Sequence, residues 1–414
     1  MKISIAGGGI GGCVAALLLA EAGHEVDVYE SVVAPAELGV GINTLPHAVR
    51  VLDRLGLLDE LDRMAVRTSE LRFLSRDGAL IWLEPRGLEA GNPWPQFSIR
   101  RGRLHRILLD TVIDRLGPDR LHTGHRALSV TGTDDDATGA AITFLDRNSE
   151  RELVVESDVA IGCDGIHSAI RAQLHPDQGY PHPSGLVLWR GATLANPYLD
   201  GRTMFMAGDD SQKVVVYPIT PAGPDGTQLI NWVAELPMDV DMATVSWNRE
   251  VDVVSVAEPY RSWDFGWLHV GELIGGASKA YEFPMVDRTP VDRWSFGRVT
   301  LLGDAAHAMR PNGSNGSSQA VLDGEAITSA LAANADPSEA LRAYEAERLE
   351  PTARLTLANR QAGPERVMQW VADRCDGSCA EQHTCVPGSD LEREANAYKE
   401  LAGFDLARLQ ALSS

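Results

Sequence analysis

A glycine-rich turn close to the first residue is the sequence feature that most strongly limits how this chain can fold. It fits the pattern G-x-G-x-x-G through Gly7, Gly9 and Gly12, and it follows the short apolar run 3–6. The first glycine of such a turn permits a tight bend, the second lets the backbone approach a pyrophosphate, and the third lets a helix pack closely on the strand. Because an Ala/Leu-rich segment follows, we predict a strand–helix–strand unit that binds a dinucleotide.

The second strand of this unit, at 26–29, ends at an acidic side chain, Glu30. A carboxylate in that position accepts hydrogen bonds from the hydroxyl groups of an adenosine ribose, whereas an arginine would favour a ribose phosphate. The unit is therefore expected to bind FAD or NAD rather than NADP. The glycine turn and Glu30 alone are compatible with NAD as readily as with FAD.

Composition and charge exclude several classes of partner. The chain has 414 residues, of which 44% are hydrophobic, and it carries a formal net charge of -21 with a pI of about 4.9. A surface this acidic repels nucleic-acid phosphates and anionic lipids, so we expect neither nucleic acid nor a membrane as a partner. The sequence shows no secretory signal and no apolar run long enough to span a bilayer, which predicts a soluble, cytoplasmic protein.

The pattern of apolar residues indicates an α/β protein that contains a second, antiparallel sheet. Helical spacing and end signals predict helices at 45–55, 104–116, 317–333 and 338–360. Runs of β-branched and aromatic residues separated by turns predict antiparallel strands at 187–193, 213–218 and 228–234. The tail beyond 363 is predicted to be irregular until a last helix near 391–402.

Two further turns carry polar groups that suit a nucleotide cofactor. Asp164 lies in a tight Asp-Gly turn between a buried strand and a helix, where capping of the helix is the simpler explanation. Gly303 and Asp304 follow another buried strand, and the loop 311–316 then leads into a helix. Backbone N–H groups and a helix dipole that face one point suit an electron-rich carbonyl or a developing anion.

These motifs, in this order and spacing, resemble the class A flavoprotein aromatic monooxygenases, which share the para-hydroxybenzoate hydroxylase fold. The resemblance covers about residues 1–360. It implies a Rossmann-like FAD-binding domain at 1–180, with some segments in the substrate layer, that continues at 291–362. It also implies an inserted, mostly antiparallel substrate-binding sheet at 181–290 and a C-terminal tail or helix at 363–414.

The resemblance assigns roles toward FAD to individual residues. The glycine turn and Glu30 would hold the adenosine diphosphate, Arg101 would reach the phosphate and ribityl region, and Asp304 would bind the ribityl chain. Pro311 would lie beside the isoalloxazine, and the backbone that follows it would stabilise the charge of the reduced flavin. The full implied set is Gly7, Gly9, Ile10, Gly11, Gly12, Glu30, Val40, Gly41, Arg101, Leu128, Asp164, Gly303, Asp304, Pro311, Gly313, Asn315 and Gly316.

The activity implied by the resemblance is hydroxylation of an aromatic or heteroaromatic small molecule with NADH or NADPH and O2, through a flavin hydroperoxide. Shorter matches at 38–43, 84–92, 189–191, 281–288 and 315–320 are most similar to phenazine-modifying hydroxylases, followed by salicylate-type hydroxylases. The sequence differs from those relatives at Arg310 and Asn312, in and beside the loop 311–316, and along the C-terminal tail. The ring system of the substrate is therefore left open.

Four residues are candidates for contact with the substrate or the reacting ring: Tyr217, Arg190, Pro311 and Arg310. Tyr217 either hydrogen-bonds a phenol or is a core tyrosine with a satisfied hydroxyl. Arg190 either pairs with a substrate carboxylate or supports the flavin or a structural acid. His307 is expected to hydrogen-bond within its loop rather than to act as a base.

A cysteine cluster near the C-terminus and several other functions remain as alternatives. Cys375, Cys379, His383 and Cys385 could hold zinc, but their spacing matches no common finger, so we predict free thiols and no metal. The same fold also supports oxidative decarboxylation, epoxidation, reduction or non-catalytic binding. A monomer or a homodimer is expected.

Overall fold

A computed structural model describes residues 1–34, 39–238, 247–375 and 385–413. The strands are β1 (Lys2–Ala6), β2 (Glu25–Glu30), β3 (Gly41–Thr44), β4 (Val66–Arg67), β5 (Glu70–Leu74), β6 (Leu80–Pro85), β7 (Phe97–Arg100), β8 (Leu121–Thr123), β9 (His125–Thr131), β10 (Ala140–Asp146), β11 (Arg151–Ser157), β12 (Val159–Gly162), β13 (His182–Ala195), β14 (Thr203–Asp209), β15 (Gln212–Pro218), β16 (Gln228–Pro237), β17 (Arg249–Val251), β18 (Ala280–Asp287) and β19 (Val299–Leu301).

The α-helices include three long ones, which follow β7 and β19 in the chain. They are α1 (Ile10–Glu21), α2 (Pro46–Arg54), α3 (Leu58–Met64), α4 (Arg101–Leu116), α5 (Ala169–Leu174), α6 (Val253–Ala257), α7 (Val270–Gly275), α8 (Asp304–His307), α9 (Gly316–Ala333), α10 (Pro337–Arg360), α11 (Arg366–Arg374), α12 (Gly388–Ala402) and α13 (Leu406–Ala411). Among the described residues, no helix combines the length and apolar character that crossing a bilayer requires.

The predicted dinucleotide unit forms the centre of a five-stranded parallel sheet. Its strands lie in the order β19-β12-β1-β2-β8, and every neighbouring pair is parallel. Ile3 and Ile5 in β1 are fully buried, because α1 packs on the parallel sheet and the three-stranded sheet β11-β10-β9 packs on it as well. Helix α1 packs between this sheet and α9, and a Cβ at Gly12 would lie 2.0 Å from the Gly7 carbonyl oxygen. Only glycine permits the helix to start so close to the strand.

The predicted antiparallel layer is an eight-stranded sheet, in the order β17-β18-β13-β16-β15-β14-β5-β6. All neighbouring pairs are antiparallel except β14 and β5. The strands β5 and β6 of this sheet precede residue 180 in the chain. The division of the chain into four domain segments stays a prediction.

Side chains along β15 alternate between the two faces of this large sheet. Val214 and Val216 pack in one apolar cluster with Trp232, whereas Val215 and Tyr217 face the opposite side. The alternation expected for Tyr217 from the period of two is therefore confirmed. It directs this tyrosine toward the parallel sheet and its loops.

Three features of the structure differ from the sequence prediction. Two small sheets, in the orders β11-β10-β9 and β3-β7-β4, were not predicted. The tail is not irregular after 363, because α11 buries Val367, Met368 and Val371 against the large sheet. Its apolar residues have helical spacing, but the segment is short and lies just after a long helix, from which a turn containing Gly363 and Pro364 separates it.

The prediction of free thiols in the cysteine cluster was wrong for two of its members. Cys375 and Cys385 form a disulfide whose Cα atoms are 5.7 Å apart, and both pack against the apolar side of the large sheet. The chain between them is short enough for this closure, which sequence spacing alone could not distinguish from metal binding. Cys379 and His383 lie outside the described residues.

Candidate active site

A cavity of about 390 Å³ lies between the carboxyl ends of the parallel strands and the large sheet. Parallel sheets commonly bind ligands at this edge, where the loops after neighbouring strands meet. The cavity extends from the glycine turn to the loop 311–316, and the inner face of the large sheet forms its far wall. Predicted site residues that line it are Gly9, Ile10, Gly11, Gly41, Arg101, Arg190, Tyr217, Gly303, Asp304, Pro311, Asn315 and Gly316.

The glycine turn is held by the acidic residue that the sequence singled out. The Gly8 N–H donates to Glu30 Oε2 at 2.9 Å, and the Val32 N–H donates to Oε1 at 2.8 Å. Glu30 and Gly12 are buried behind the turn, and Gly7 is half-buried; none of the three lines the cavity. A Cβ built at Gly9 meets no atom within 4 Å, so the backbone at Gly9 faces open space. That space is where a pyrophosphate would approach.

The second predicted turn is mainly a helix start. Ser168 caps α5 by accepting from the Arg171 N–H at 2.8 Å, and Asp164 accepts from the Ala169 N–H at the same distance. Burial raises the pKa of Asp164, although the hydrogen bonds from the helix oppose that effect. The neighbouring Gly165 lines the cavity, whereas Asp164, Val40 and Leu128 do not.

The third predicted turn is fixed from behind by a buried ionic network. Asp323 on α9 accepts from the Gly303 N–H at 3.0 Å, from His307 Nε2 at 2.6 Å and from Arg348 Nε at 2.8 Å. Burial of Asp323 would raise its pKa, but the interactions with His307 and Arg348 outweigh burial and lower the pKa to about 2. His307 thus bonds to the helix after its loop, and the neighbouring Asp304 projects into the cavity.

The loop 311–316 closes the cavity opposite the glycine turn. Pro311, Ser314, Asn315 and Gly316 line it, whereas Gly313 lies against Tyr398 from the tail. Helix α9 begins at Gly316, so its free N–H groups point to this end of the cavity. The arrangement can stabilise negative charge on a ring held beside the loop.

The inner face of the large sheet contributes an apolar wall with one basic group. Leu188, Met206, Val215 and Val233 line this wall around Arg190. The Arg190 guanidinium interacts with the buried Tyr217 hydroxyl, and its Nε has no hydrogen-bond partner among the described residues. Burial lowers the pKa of the guanidinium, whereas the nearby tyrosine opposes that change.

The hydroxyl of Tyr217 is shielded in the same region. Burial raises its pKa, and the adjacent Arg190 partly offsets the effect. Arg310, the fourth candidate, does not line the cavity. Its Nε donates to Asp287 at 3.1 Å, in a buried cluster that also includes Arg360.

A buried ionic cluster whose carboxylates line the cavity was missed in the sequence. Lys213 forms ion pairs with Glu235 at 2.8 Å and with Glu365, and all three side chains are buried. Burial lowers the pKa of Lys213, but the two carboxylates outweigh it and raise the pKa overall. Burial also raises the pKa of Glu235. The alternation that exposes Val215 and Tyr217 to the cavity also places Lys213 on that face, and this was the available signal.

The cavity has the groups that FAD requires along its length. Open backbone at Gly9 suits the diphosphate, and Arg101 and Asp304 lie between the glycine turn and the loop 311–316. The apolar wall suits the flat face of a flavin ring. The N–H groups at the end of the loop 311–316 suit the negative charge that develops on that ring. The site therefore fits a flavin dinucleotide that extends from the glycine turn to the inner sheet.

Fold and cavity together define a flavin-dependent aromatic monooxygenase. A family model described as an FAD binding domain matches residues 1–358, and the chain belongs to this family. It is 43% identical over 364 residues to the phenazine 1,6-dicarboxylic acid hydroxylase PhzS of Lysobacter antibioticus, covering 86% of this chain and 89% of that protein. It is 34% identical over 376 residues to the 3-amino-4-hydroxybenzoate 2-monooxygenase PtmB3 of Streptomyces platensis, covering 88% of each.

Solved structures share the same fold. Klebsiella pneumoniae HpxO, complexed with FAD and uric acid, superposes with a TM-score of 0.71 at 24% identity, covering 97% of this chain and 92% of that one. CtdE in complex with FAD and a substrate superposes with a TM-score of 0.75 at 20% identity over 100% of both chains. The predicted fold class, the FAD cofactor and the monooxygenase class are thereby confirmed.

Proposed function

We propose that this enzyme hydroxylates a planar aromatic carboxylate of the phenazine type, using NADH or NADPH and O2. The observation that carries the proposal is the basic side chain of Arg190, which lies beside Leu188, Met206 and Val233 in the wall that faces the loop 311–316. An apolar slot favours a flat ring system. Among the described residues the Arg190 guanidinium forms no ion pair within 4 Å, although Glu235 interacts with it at longer range, and such a guanidinium favours an anionic substituent. The 43% identity to a hydroxylase of phenazine 1,6-dicarboxylic acid supports the same class.

The overall reaction would consume one NAD(P)H, one proton and one O2. It would yield the hydroxylated ring, oxidised nicotinamide and water. FAD, when bound, supplies the electron transfer from the nicotinamide and the activation of oxygen. The protein's part is to bind the ring in place, to orient it and to exclude water from the cavity.

For FAD, we propose that each of the residues identified in the sequence binds a different part of the cofactor. The open backbone at Gly9 holds the diphosphate, while Glu30 fixes the turn and accepts from the adenosine ribose. Arg101 binds the phosphate or ribityl region, and Asp304 binds the ribityl hydroxyls. The remaining glycines of the turn act through close packing. Val40, Leu128 and Asp164 do not line the cavity, and we propose that they support the FAD site from behind the residues that do.

For the substrate, we propose that Arg190 pairs with the carboxylate and that Tyr217 keeps Arg190 in position. The buried phenol has a raised pKa, so it remains neutral and can donate or accept one hydrogen bond. Pro311 lies at the opposite side of the cavity, where it restricts the ring sterically. Arg310 acts indirectly, because its ion pair with Asp287 holds the start of the loop.

Two further proposals concern the cellular location and the oligomeric state of the enzyme. We propose that the enzyme works in the cytoplasm, where NADH and NADPH are produced. We further propose a monomer or homodimer, since the described residues of one chain supply every group assigned above. Size-exclusion chromatography with light scattering measures this assembly directly.

The test begins with the purified protein and its visible flavin absorption. NADH and NADPH oxidation, oxygen uptake and product mass are then measured with phenazine carboxylates, salicylate, hydroxynicotinate and amino-hydroxybenzoate. We expect a phenazine carboxylate to accelerate flavin reduction and to gain one oxygen atom, which oxygen-18 gas should label. A product that gains hydrogen instead would identify a reductase.

The matched variants for this test are Arg190→Gln and Arg293→Gln. Arg293 is a partly exposed arginine that pairs with Asp135 far from the cavity, so its loss should leave turnover unchanged. The proposal fails if the flavoprotein forms no oxygenated product with any carboxylate in the panel. It also fails if Arg190→Gln turns over the carboxylate as well as the wild type does.

A further inference from the structure

The tail beyond residue 363 packs directly on the loop 311–316. It lies beyond the residues that the family model matches, which end at 358. Tyr398 on α12 is buried, and its hydroxyl lies 3.1 Å from the Asn312 carbonyl oxygen and 3.0 Å from Asn315 Nδ2. One side chain of the tail therefore contacts the loop at two points.

Hydrogen-bond chemistry fixes the direction of these contacts. Asn315 Nδ2 donates to the Tyr398 oxygen and to the Gly313 carbonyl at 3.1 Å. Asn359 Nδ2 donates to the Arg310 carbonyl, which leaves Asn359 Oδ1 to face the Tyr398 hydroxyl at 2.9 Å. A phenol has one proton to donate, so Tyr398 donates to Asn359 or to the Asn312 carbonyl and accepts from Asn315.

Steric contact at the loop is equally close. Gly313 has φ of +68°, and a Cβ there would lie 2.2 Å from the Tyr398 oxygen. Its neighbour Ser314 has φ of +57°, a left-handed conformation that costs a non-glycine residue roughly 1 kcal/mol or more. A loop with this strain needs partners outside itself to remain in one conformation. Tyr398 contacts the loop at Asn312 and Asn315, and Glu365 accepts a further hydrogen bond from Asn312 Nδ2 at 2.6 Å.

We propose that Tyr398 is a positioning residue for the flavin, acting through the backbone of the loop 312–316. The inference rests on the proposed function, which places the flavin ring beside this loop. Dipoles that are fixed before charge develops stabilise that charge without reorganising. Loss of the Tyr398 hydroxyl should loosen the loop and weaken its stabilisation of the reduced, negatively charged flavin. The midpoint potential of bound FAD should then become more negative.

The direct test is Tyr398→Phe in the FAD-loaded enzyme, with Tyr198→Phe as the matched control. Tyr198 is also buried and donates its hydroxyl to the Thr203 carbonyl at 2.8 Å, but it packs in the apolar cluster on the other face of the large sheet. We expect Tyr398→Phe to shift the equilibrium toward oxidised FAD about tenfold, which is about 30 mV for a two-electron couple. The control should keep the wild-type potential.

A second variant keeps the test decisive if Tyr398→Phe does not fold. Asn359→Ala retains the tyrosine but removes its acceptor and the donor to the Arg310 carbonyl, so it should shift the potential in the same direction. Unchanged potentials in whichever of these variants retain FAD would overturn the proposal. The readout requires only bound FAD, so it stands apart from the search for the aromatic substrate. If the enzyme hydroxylates its substrate but these variants keep the wild-type potential, only the proposed role of Tyr398 is rejected and the proposed function stands.

Discussion

The buried carboxylate behind the Gly303 turn should be one of the most sensitive positions in the protein. Asp323 is fully buried and accepts from Gly303, His307 and Arg348 at distances between 2.6 and 3.0 Å. In Asp323→Asn, one of these acceptors becomes an N–H donor that faces other donors. Breaking a buried ion pair by removing one partner typically costs about 3–5 kcal/mol, because the other charge stays buried.

The pKa of Asp323 gives an independent magnitude for the same group. A decrease from 3.8 to about 2 corresponds to about 2 kcal/mol of folding free energy. Since the pKa is lowered on folding, this contribution is fully present above about pH 4 and is lost as the pH falls through about 2. The larger cost of the mutation reflects Arg348, which would remain buried without its carboxylate.

Urea unfolding at neutral pH with saturating FAD measures the difference between wild type and Asp323→Asn. We expect a loss of about 3–5 kcal/mol in the free energy of unfolding. The control is Glu250→Gln, which removes an exposed ion pair with Lys279 and should cost no more than about 0.5 kcal/mol. A loss below about 1 kcal/mol for Asp323→Asn would refute the reasoning, because it would mean that the network is not a net source of stability.

Three other predictions concern the cofactor, the substrate and the tail. Glu30→Gln should weaken FAD binding about tenfold in a fluorescence titration, since the ribose and the turn lose a charged acceptor, whereas Glu25→Gln at the exposed start of the same strand should not. Arg190→Gln should raise KM for an aromatic carboxylate at least about tenfold and leave KM for a neutral analogue unchanged, and equal effects on both would contradict the pairing. Peptide mapping without reductant should recover Cys375 linked to Cys385, and separate peptides would disprove the disulfide.

Local sequence signals predicted the parts of the fold that local interactions determine. The strand–turn–helix at the start was predictable because the glycine turn and the apolar run act within a few residues of each other. The same holds for α9 and α10, whose helical spacing continues for many residues. The sheet β3-β7-β4 was not predictable in this way, since its strands are very short and depend on their neighbours for pairing.

The candidate site divides along the same line. The groups proposed to bind FAD belong to sequence motifs, so Gly9 and Asp304 were identified from the sequence, and both lie in the cavity lining. Buried charged residues cannot be identified from motifs, because a lysine in an apolar strand indicates an ionic cluster only when its partners are known. Lys213 is paired with Glu235 from the neighbouring strand and with Glu365 from the tail, and only the tertiary structure brings these three together.

Two residues of the tail that the sequence did not identify, Glu365 and Tyr398, contact the cavity or its loop directly. Glu365 lines the cavity, pairs with the buried Lys213 and also accepts from Asn312 in the loop 311–316, so one carboxylate links the large sheet to this loop. Tyr398 contacts the same loop from α12. Without these two residues, a buried ammonium and a strained loop would each lose a partner beside the proposed flavin site. The tail is therefore expected to change the flavin's potential and the substrate's orientation, although none of its residues was predicted to touch FAD.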